Sequence, residues 1–421
     1  MSNATTIVDN VKRNEESFGT VTCVLLLRIG FLLVQMGSIP IENVYVIVFH
    51  NVVEIAVAIL SYGFAGYQLS FGDRTFYGFV SYGGGLVGTD NLNDAPVGFA
   101  ACLIATAITS SAVIARMHAA SMLVTASLTS ALFLPVLMHW IWDERGWMTK
   151  RTLLGKKVSV QDRGGNLVVH VPSAAAAFVA ALVFGKRVLR ARDLSDLSLA
   201  REYASGSASG YFLILIEYVG FPSRHDVVAV NSLMAIVVGI LSTACFQLTL
   251  SRNLHRHWPI VKCLQGGVAG VVAVSAGVNI YTPTISCCVA AAGALAFFLA
   301  RSLVFKSVED CCGVFSIYLA GGAAGALLPG VSATGADALW QLICLLTVLL
   351  ATVIVYVVAF SLLSLVGTFK NKFETVNHGR ASFLRKAWTR GRRPDYLNAA
   401  GRVSPEFDRS RLGGSFVLRS L

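Results

Sequence analysis

Eleven windows of about 20 apolar residues succeed one another along this 421-residue chain, and nothing else in it limits the possible folds so much. They fall at 20–37, 43–71, 96–117, 119–142, 166–185, 207–222, 227–251, 261–280, 283–302, 313–330 and 338–366. A helix of that length crosses a hydrocarbon core of roughly 30 Å and keeps its backbone hydrogen bonds to itself. Composition agrees: 55% of residues are hydrophobic and 14% charged, where soluble domains carry about a quarter charged. The expectation is an all-α polytopic membrane protein. The window 207–222 is the weakest, being short and interrupted by Glu217.

Eleven crossings put the two ends of the chain on opposite sides. With the C-terminus cytoplasmic, inner segments collect 23 of the 34 Lys and Arg residues and outer ones 10, as the positive-inside rule asks. The exception is 143–165, an outer loop in this arrangement that carries six basic residues. The chain then divides into a polar extracellular segment, 1–19, a membrane domain, 20–366, and a basic cytoplasmic tail, 367–421. Residues 1–19 lack a signal-peptide core and include one glycosylation sequon, Asn3-Ala4-Thr5. The tail supplies +8 of the net charge of +11, concentrated at Arg385-Lys386, Arg390 and Arg392-Arg393, and suits contact with anionic lipid. No recognition fold accompanies it, so a nucleic-acid partner is not expected.

Two stretches 148 residues apart share a pattern. Asp162-x-x-Gly165-x-x-x-x-His170 and Asp310-x-x-Gly313-x-x-x-x-Tyr318 each lead into an apolar helix. Repeated halves that each bring a polar group to mid-membrane depth are the build of a transporter with its site at the repeat interface. An ionisable side chain among Val168, Val169 and the small apolar run 171–177 is costly and usually functional, which singles out His170. Glycines at Gly63/Gly66, Gly266/Gly270 and Gly321/Gly325 let helices approach closely. Arg28, Glu54 and Glu217 also lie within spans, where pairing or snorkelling is the expected resolution.

Nothing points to an enzyme. Walker, dinucleotide, HExxH and nucleophile-elbow patterns are missing, and nine scattered cysteines form no C-x-x-C pair. Neither a cofactor nor a metal site is expected.

Four passages resemble the ammonium transporter/methylammonium permease/Rh superfamily, from about Phe31 to Val366. They are Gln35 to Ser38 with Glu42-Asn43-Val44, His50-Asn51 and Gly66 to Gly72; Ala107 to Met117; Asp162 to Arg187; and Glu309 to Gly325. The third, DRGGNLVVHVPSAAAAFVAALVFGKR, is the most specific. The resemblance implies eleven helices, two five-helix halves in inverted repeat around a central pore, and a plasma-membrane homotrimer whose substrate is ammonium or ammonia.

Carried over residue by residue, the family's first pore histidine falls on His170 and the second on Tyr318, a departure. The outer aromatic that recruits the cation falls on Trp147, with Trp142 as the alternative because the loop length differs. Of two gating phenylalanines one maps to Phe221 and the other near Ala105. The hydroxyl residue of the outer site falls near His225. The structural aspartate maps to Asp162, where capping of the fifth helix is the expected role.

The chemistry follows from cost. A charge at the bilayer centre is expensive, whereas uncharged ammonia crosses a dry pore readily. An indole face attracts the cation outside. Imidazole, with an unperturbed pKa of about 6.5, handles a proton near neutrality. A phenol, at about 10, keeps a hydrogen bond but seldom releases its proton. Tyr318 therefore predicts altered proton coupling. It also leaves open a non-conducting ammonium sensor on the same fold, and Ala105 leaves open an Rh-like channel for neutral gas.

Overall fold

Backbone groups in hydrocarbon must bond within their own segment, and the apolar windows accordingly fold as helices. The computed structural model describes residues 2–38, 44–86, 94–114, 116–185, 199–220, 226–250, 258–304, 308, 310, 312–331 and 335–370. In chain order the helices are α1 (Ser2–Ser38), α2 (Val44–Ser61), α3 (Tyr67–Phe71), α4 (Ala95–Val113), α5 (Ala119–Leu128), α6 (Leu134–Ile141) and α7 (Val171–Phe184). There follow α8 (Leu199–Gly220), α9 (Asp226–Leu250), α10 (Trp258–Ser275), α11 (Pro283–Leu299), α12 (Gly322–Val331) and α13 (Gly335–Leu365). The polar N-terminal segment is helical from Ser2 and continuous with the first span.

Among the described residues, eight helical stretches are long and apolar enough to cross a membrane. Three further apolar helices are shorter: Ser205–Ile216, Ile260–Ser275 and Phe315–Gly330. The chain is thus an all-α polytopic membrane protein. The short helices coincide with three windows, 207–222, 261–280 and 313–330. In the second, the backbone leaves the helix after Ser275 and turns through 276–280.

Among the described residues, five π-helical turns interrupt or extend the helices: Tyr62–Gly66, Thr129–Phe133, Asn166–His170, Ala300–Val304 and Phe315–Gly321. Such widened turns recur at functional sites. Two antiparallel ribbons cap one end of the bundle, β1 (Arg74–Phe76) with β2 (Val80–Tyr82) and β3 (Arg151–Leu153) with β4 (Lys156–Val158).

Apolar residues divide between core and lipid by helical period. On α13, Trp340, Cys344, Val348, Thr352, Tyr356 and Phe360 recur every four residues and are buried, while Leu346, Leu350, Ile354 and Leu362 are exposed. Small residues set the closest crossings. A Cβ added at Gly210 of α8 would stand 2.6 Å from the Gly30 carbonyl of α1, and one at Gly325 of α12 would stand 2.3 Å from Ala273 of α10. These contacts press α1 onto α8 and α12 onto α10, while α7 packs on α4 and α13.

The basic loop 143–165 resolves its own charge. Arg145 donates to Asp143 Oδ1 at 2.9 Å and to the Gly72 and Asp73 carbonyls at 2.8 Å each, and Lys150 faces Glu144 at 3.4 Å. Burial alone would raise the Asp143 carboxyl, but hydrogen bonds from His139 and Arg145 outweigh it and hold the group well below the usual carboxylate range. Two residues of the expected tail are tied to the bundle. Ser121 Oγ donates to the Thr368 carbonyl at 2.6 Å, the His118 amide donates to the Phe369 carbonyl, and Phe369 stacks on Phe184 at 4.3 Å. Residues 371–421 lie outside the described set.

Candidate functional site

Two turns of like construction meet in the bundle. Gly165, left-handed at φ 77°, breaks the approach to α7, and Asp162 Oδ2 accepts from the Leu167 and Val168 amides at 3.0 Å each. Those amides begin a helix and have no carbonyl before them, so the carboxylate supplies what they lack. Arg163 and Gly164 donate backbone bonds to Ala276 and Ser275, which fasten the turn to the end of α10. Burial pushes the Asp162 carboxyl up to about 7, against the backbone hydrogen bonds that lower it. The second turn repeats the device. Gly313 has φ 67°, and Asp310 Oδ2 accepts from the Phe315 and Ser316 amides at 3.1 Å each. Burial raises the Asp310 carboxyl, and Arg301 works in the opposite direction.

Each turn delivers its eighth residue to the same place. His170 closes the π-helical turn Asn166–His170, and Tyr318 lies within Phe315–Gly321. Their rings stack at 5.8 Å between centroids with 11° between planes, and both residues are 1% exposed. Tyr218 on α8 completes the group: its hydroxyl lies 2.9 Å from His170 Nε2. Among the described residues His170 Nδ1 has no hydrogen-bond partner, and the buried Tyr318 hydroxyl lies beside that of Tyr218. With Tyr218 as donor, Nε2 accepts and the imidazole proton resides on Nδ1, the nitrogen left open. Phe31 adds an apolar wall 6.1 Å from the Tyr318 ring. Tyr218 escaped the sequence reading because a tyrosine in a short apolar window carries no motif. The charge at its neighbour Glu217, whose side chain lies outside the described residues, drew the attention.

Below Tyr318 a second chain of polar groups braces the turn. Tyr211 donates to the Cys312 carbonyl, Gln265 Nε2 donates to the Tyr211 hydroxyl at 3.0 Å, and Arg301 donates to Gln265 Oε1 at 3.2 Å. These bonds hold the second turn against α8 and α10.

The two aromatic candidates part company. Trp142 donates from Nε1 to the Asp162 carbonyl at 2.8 Å, and its ring lies against Gly165, where an added Cβ would meet Cζ2 at 3.3 Å. Trp147 instead sits in a cluster with Phe79, Trp140 and Trp340, at 5.8, 5.7 and 6.1 Å between ring centroids. Its indole nitrogen is buried with no hydrogen-bond partner. Trp142 thus touches the His170 turn, and Trp147 packs the loop onto the start of α13. Ala105 is fully buried on α4, its carbonyl accepting from Thr109 at 3.0 Å. Phe221 and His225 lie outside the described residues. Arg28 pairs with Glu54 at 3.1 Å.

The fold is a many-helix membrane bundle that holds a buried imidazole between two capped turns. The sequence model of the Ammonium Transporter Family matches residues 18–379, and the chain belongs to that family. A putative ammonium transporter of Synechocystis is 25% identical over 337 residues, covering 75% of this chain and 74% of its own. Among solved structures, a sensor Amt protein superposes with a TM-score of 0.73 at 17% identity, covering 88% of this chain and 98% of its own. Mep2 of Saccharomyces cerevisiae gives a TM-score of 0.70 at 17% identity, with 83% and 87% covered.

Proposed function

We propose that this protein moves ammonium across the membrane by recruiting the cation at Trp142, stripping its proton and passing ammonia by His170. Family membership supports ammonium transport, and the position of Trp142 against the His170 turn favours it over Trp147 for first contact with the cation. An indole face attracts a cation by about 0.5–2 kcal/mol, more when water is excluded. Carrying that charge to the bilayer centre costs at least about 3 kcal/mol, so releasing the proton first lowers the barrier.

The observation that carries the reading is the buried His170, with Tyr218 on one ring nitrogen, Tyr318 stacked on its face, and Nδ1 without a hydrogen-bond partner among the described residues. Ammonia offers Nδ1 an acceptor lone pair, while Tyr218 fixes the ring and its tautomer. Tyr318 supplies shape and an apolar face; a phenol there does not share a proton as a second imidazole would. In the same reading, the three short apolar helices are spans, which gives eleven crossings. The two capped turns mark the corresponding points of inverted five-helix halves, and the protein is a homotrimer of the plasma membrane with residues 367–421 in the cytoplasm.

The test is uptake of ammonium and methylammonium in a yeast strain lacking its own ammonium permeases. The wild-type chain should restore growth on ammonium, and His170→Ala should lower uptake at least about a hundredfold with the protein still at the membrane. Tyr318 in place of a second imidazole also favours a second reading, a sensor that binds ammonium without conducting it. Binding by the purified protein with no rescue of growth would establish that reading instead.

A further inference from the structure

The two capped turns differ in what lies against their left-handed glycines. At Gly165 it is Trp142: an added Cβ would stand 3.3 Å from indole Cζ2, and the indole Nε1 donates to the Asp162 carbonyl at 2.8 Å. At Gly313 the added Cβ would stand 2.8 Å from Gln265 Nε2 of α10, while Tyr211 of α8 donates to the Cys312 carbonyl. Each turn thus gives a carbonyl to a side chain from another helix and rests its glycine on a planar group. At the first turn that group is a π face, which attracts cations. At the second it is an amide.

Arg301 decides which end of the amide faces the turn. It donates from Nη1 to Gln265 Oε1 at 3.2 Å. A guanidinium offers donors only, so Oε1 turns to Arg301 and the Nε2 end is left toward Gly313. Nε2 carries two N–H groups, and the Tyr211 hydroxyl accepts one of them at 3.0 Å. Arg301 also offsets the charge of Asp310, whereas no cation among the described residues does so for Asp162. The first turn therefore presents a π face and a carboxyl group without a counter-charge. The second presents N–H donors and a carboxyl group that a guanidinium compensates. Ammonium has donors on every side and no lone pair, so it suits the first turn and is refused by the second. Ammonia has the lone pair that an N–H can bind. A fixed arginine beside a narrow passage is a known form of electrostatic barrier to cations.

We infer, resting on the transport reading above, that Gln265 and Arg301 are specificity-determining residues that close the Tyr318 side of the passage to cations and leave it open to neutral ammonia. Selection then happens twice, by attraction at Trp142 and by refusal at Gln265. A merely structural chain would hold the Cys312 turn and leave the response to other cations untouched.

The experiment measures methylammonium uptake by the full-length chain in proteoliposomes. Potassium, a cation close to ammonium in size, is set equal on both sides, with choline as its replacement. Arg301→Gln removes the positive charge, Gln265→Glu adds a negative one in the same shape, and Arg301→Lys keeps the charge. In the first two variants the potassium concentration that halves uptake should fall at least about tenfold, and in the third it should stay within about twofold of wild type. Misfolding lowers uptake in choline and in potassium alike, so the ratio of the two separates it from lost selectivity. Wild-type half-inhibition in both Arg301→Gln and Gln265→Glu overturns the inference. So does an Arg301→Lys protein as sensitive to potassium as Arg301→Gln. A wild-type chain with no uptake in choline rejects the transport reading, a separate outcome. Thermal unfolding of the purified proteins in potassium then decides: stabilisation of Arg301→Gln beyond that of wild type supports the inference, and equal stabilisation overturns it.

Discussion

Asp162 and Asp310 each hold the amides five and six residues on, and Gly165 and Gly313 each turn left-handed three residues on, yet one turn ends in an imidazole and the other in a phenol. The shared part is what a helix start inside a membrane requires: a sharp entry and a carboxylate for amides with no carbonyl before them. The eighth position takes no part in that support, so it can change without loosening the turn. Repetition of the frame therefore locates the site but leaves its chemistry to single side chains. The third member of the group, Tyr218, comes from outside both turns and bonds His170, which makes the two turns unequal in partners as well as in residue type.

Exchanging the two residues tests that inequality most severely. If the turns were equivalent, His170→Tyr with Tyr318→His would transport like the parent. Because Tyr218 serves the imidazole in its present place, we expect uptake to fall at least about tenfold in the exchange. Tyr318→His alone should retain uptake and shift the ratio of current to uptake by creating a stacked imidazole pair. Parent-like behaviour of the exchanged protein would remove Tyr218 from the account.

Removing the caps should cost stability unequally. Asp162 is 6% exposed and Asp310 is partly exposed as a residue, so truncation at Asp310 opens its turn to water more readily than truncation at Asp162. We expect Asp162→Ala to lose about 2–3 kcal/mol and Asp310→Ala about half of that, read by thermal unfolding in detergent. The reverse order would mean that the Arg301–Gln265–Tyr211 chain depends on Asp310 more than its geometry suggests. The two glycines sharpen the comparison further. Alanine at either costs about 1–2 kcal/mol for the left-handed backbone alone. At Gly165 the new methyl meets Trp142 at 3.3 Å and Val169 at 3.0 Å; at Gly313 it meets Gln265 Nε2 at 2.8 Å. Gly165→Ala should therefore weaken substrate capture, and Gly313→Ala should leave capture as it is.

The spacing of Asp, Gly and His or Tyr was legible in the sequence because helix entry in hydrocarbon permits few solutions, and each solution leaves its residues at fixed intervals. Apolar windows declared the spans for the same reason. The window 261–280 came out short because its helix ends at Ser275, and composition does not register where a backbone turns. The loop 143–165 reads from its charge count as a strongly basic outer segment. In the fold Asp143 and Glu144 answer part of that charge, a pairing that depends on the loop closing back on Gly72 and Asp73. Trp142 and Trp147 are indistinguishable by spacing, since only tertiary contact says which indole lies on Gly165. Tyr218 meets His170 only because a helix distant in sequence comes to lie beside it, and no local pattern encodes that.

The smallest difference between the turns lies in how they answer to pH. No cation among the described residues offsets burial at Asp162, which carries its carboxyl up to about 7, whereas Arg301 opposes the rise at Asp310. A protonated Asp162 keeps its cap: Oδ2 accepts the two amides, while Oδ1 has no partner and is free to carry the proton. In the unfolded chain the same group ionises at about 4. Between those values the folded protein binds more protons than the unfolded one, so this contribution is fully present below about 4 and declines as pH rises toward 7. Thermal unfolding followed from pH 5 to pH 8 should show stability falling across that interval in the wild-type chain, with a shallower fall in Asp162→Asn. Parallel curves for the two proteins would place the Asp162 proton elsewhere and leave the turns alike in this respect.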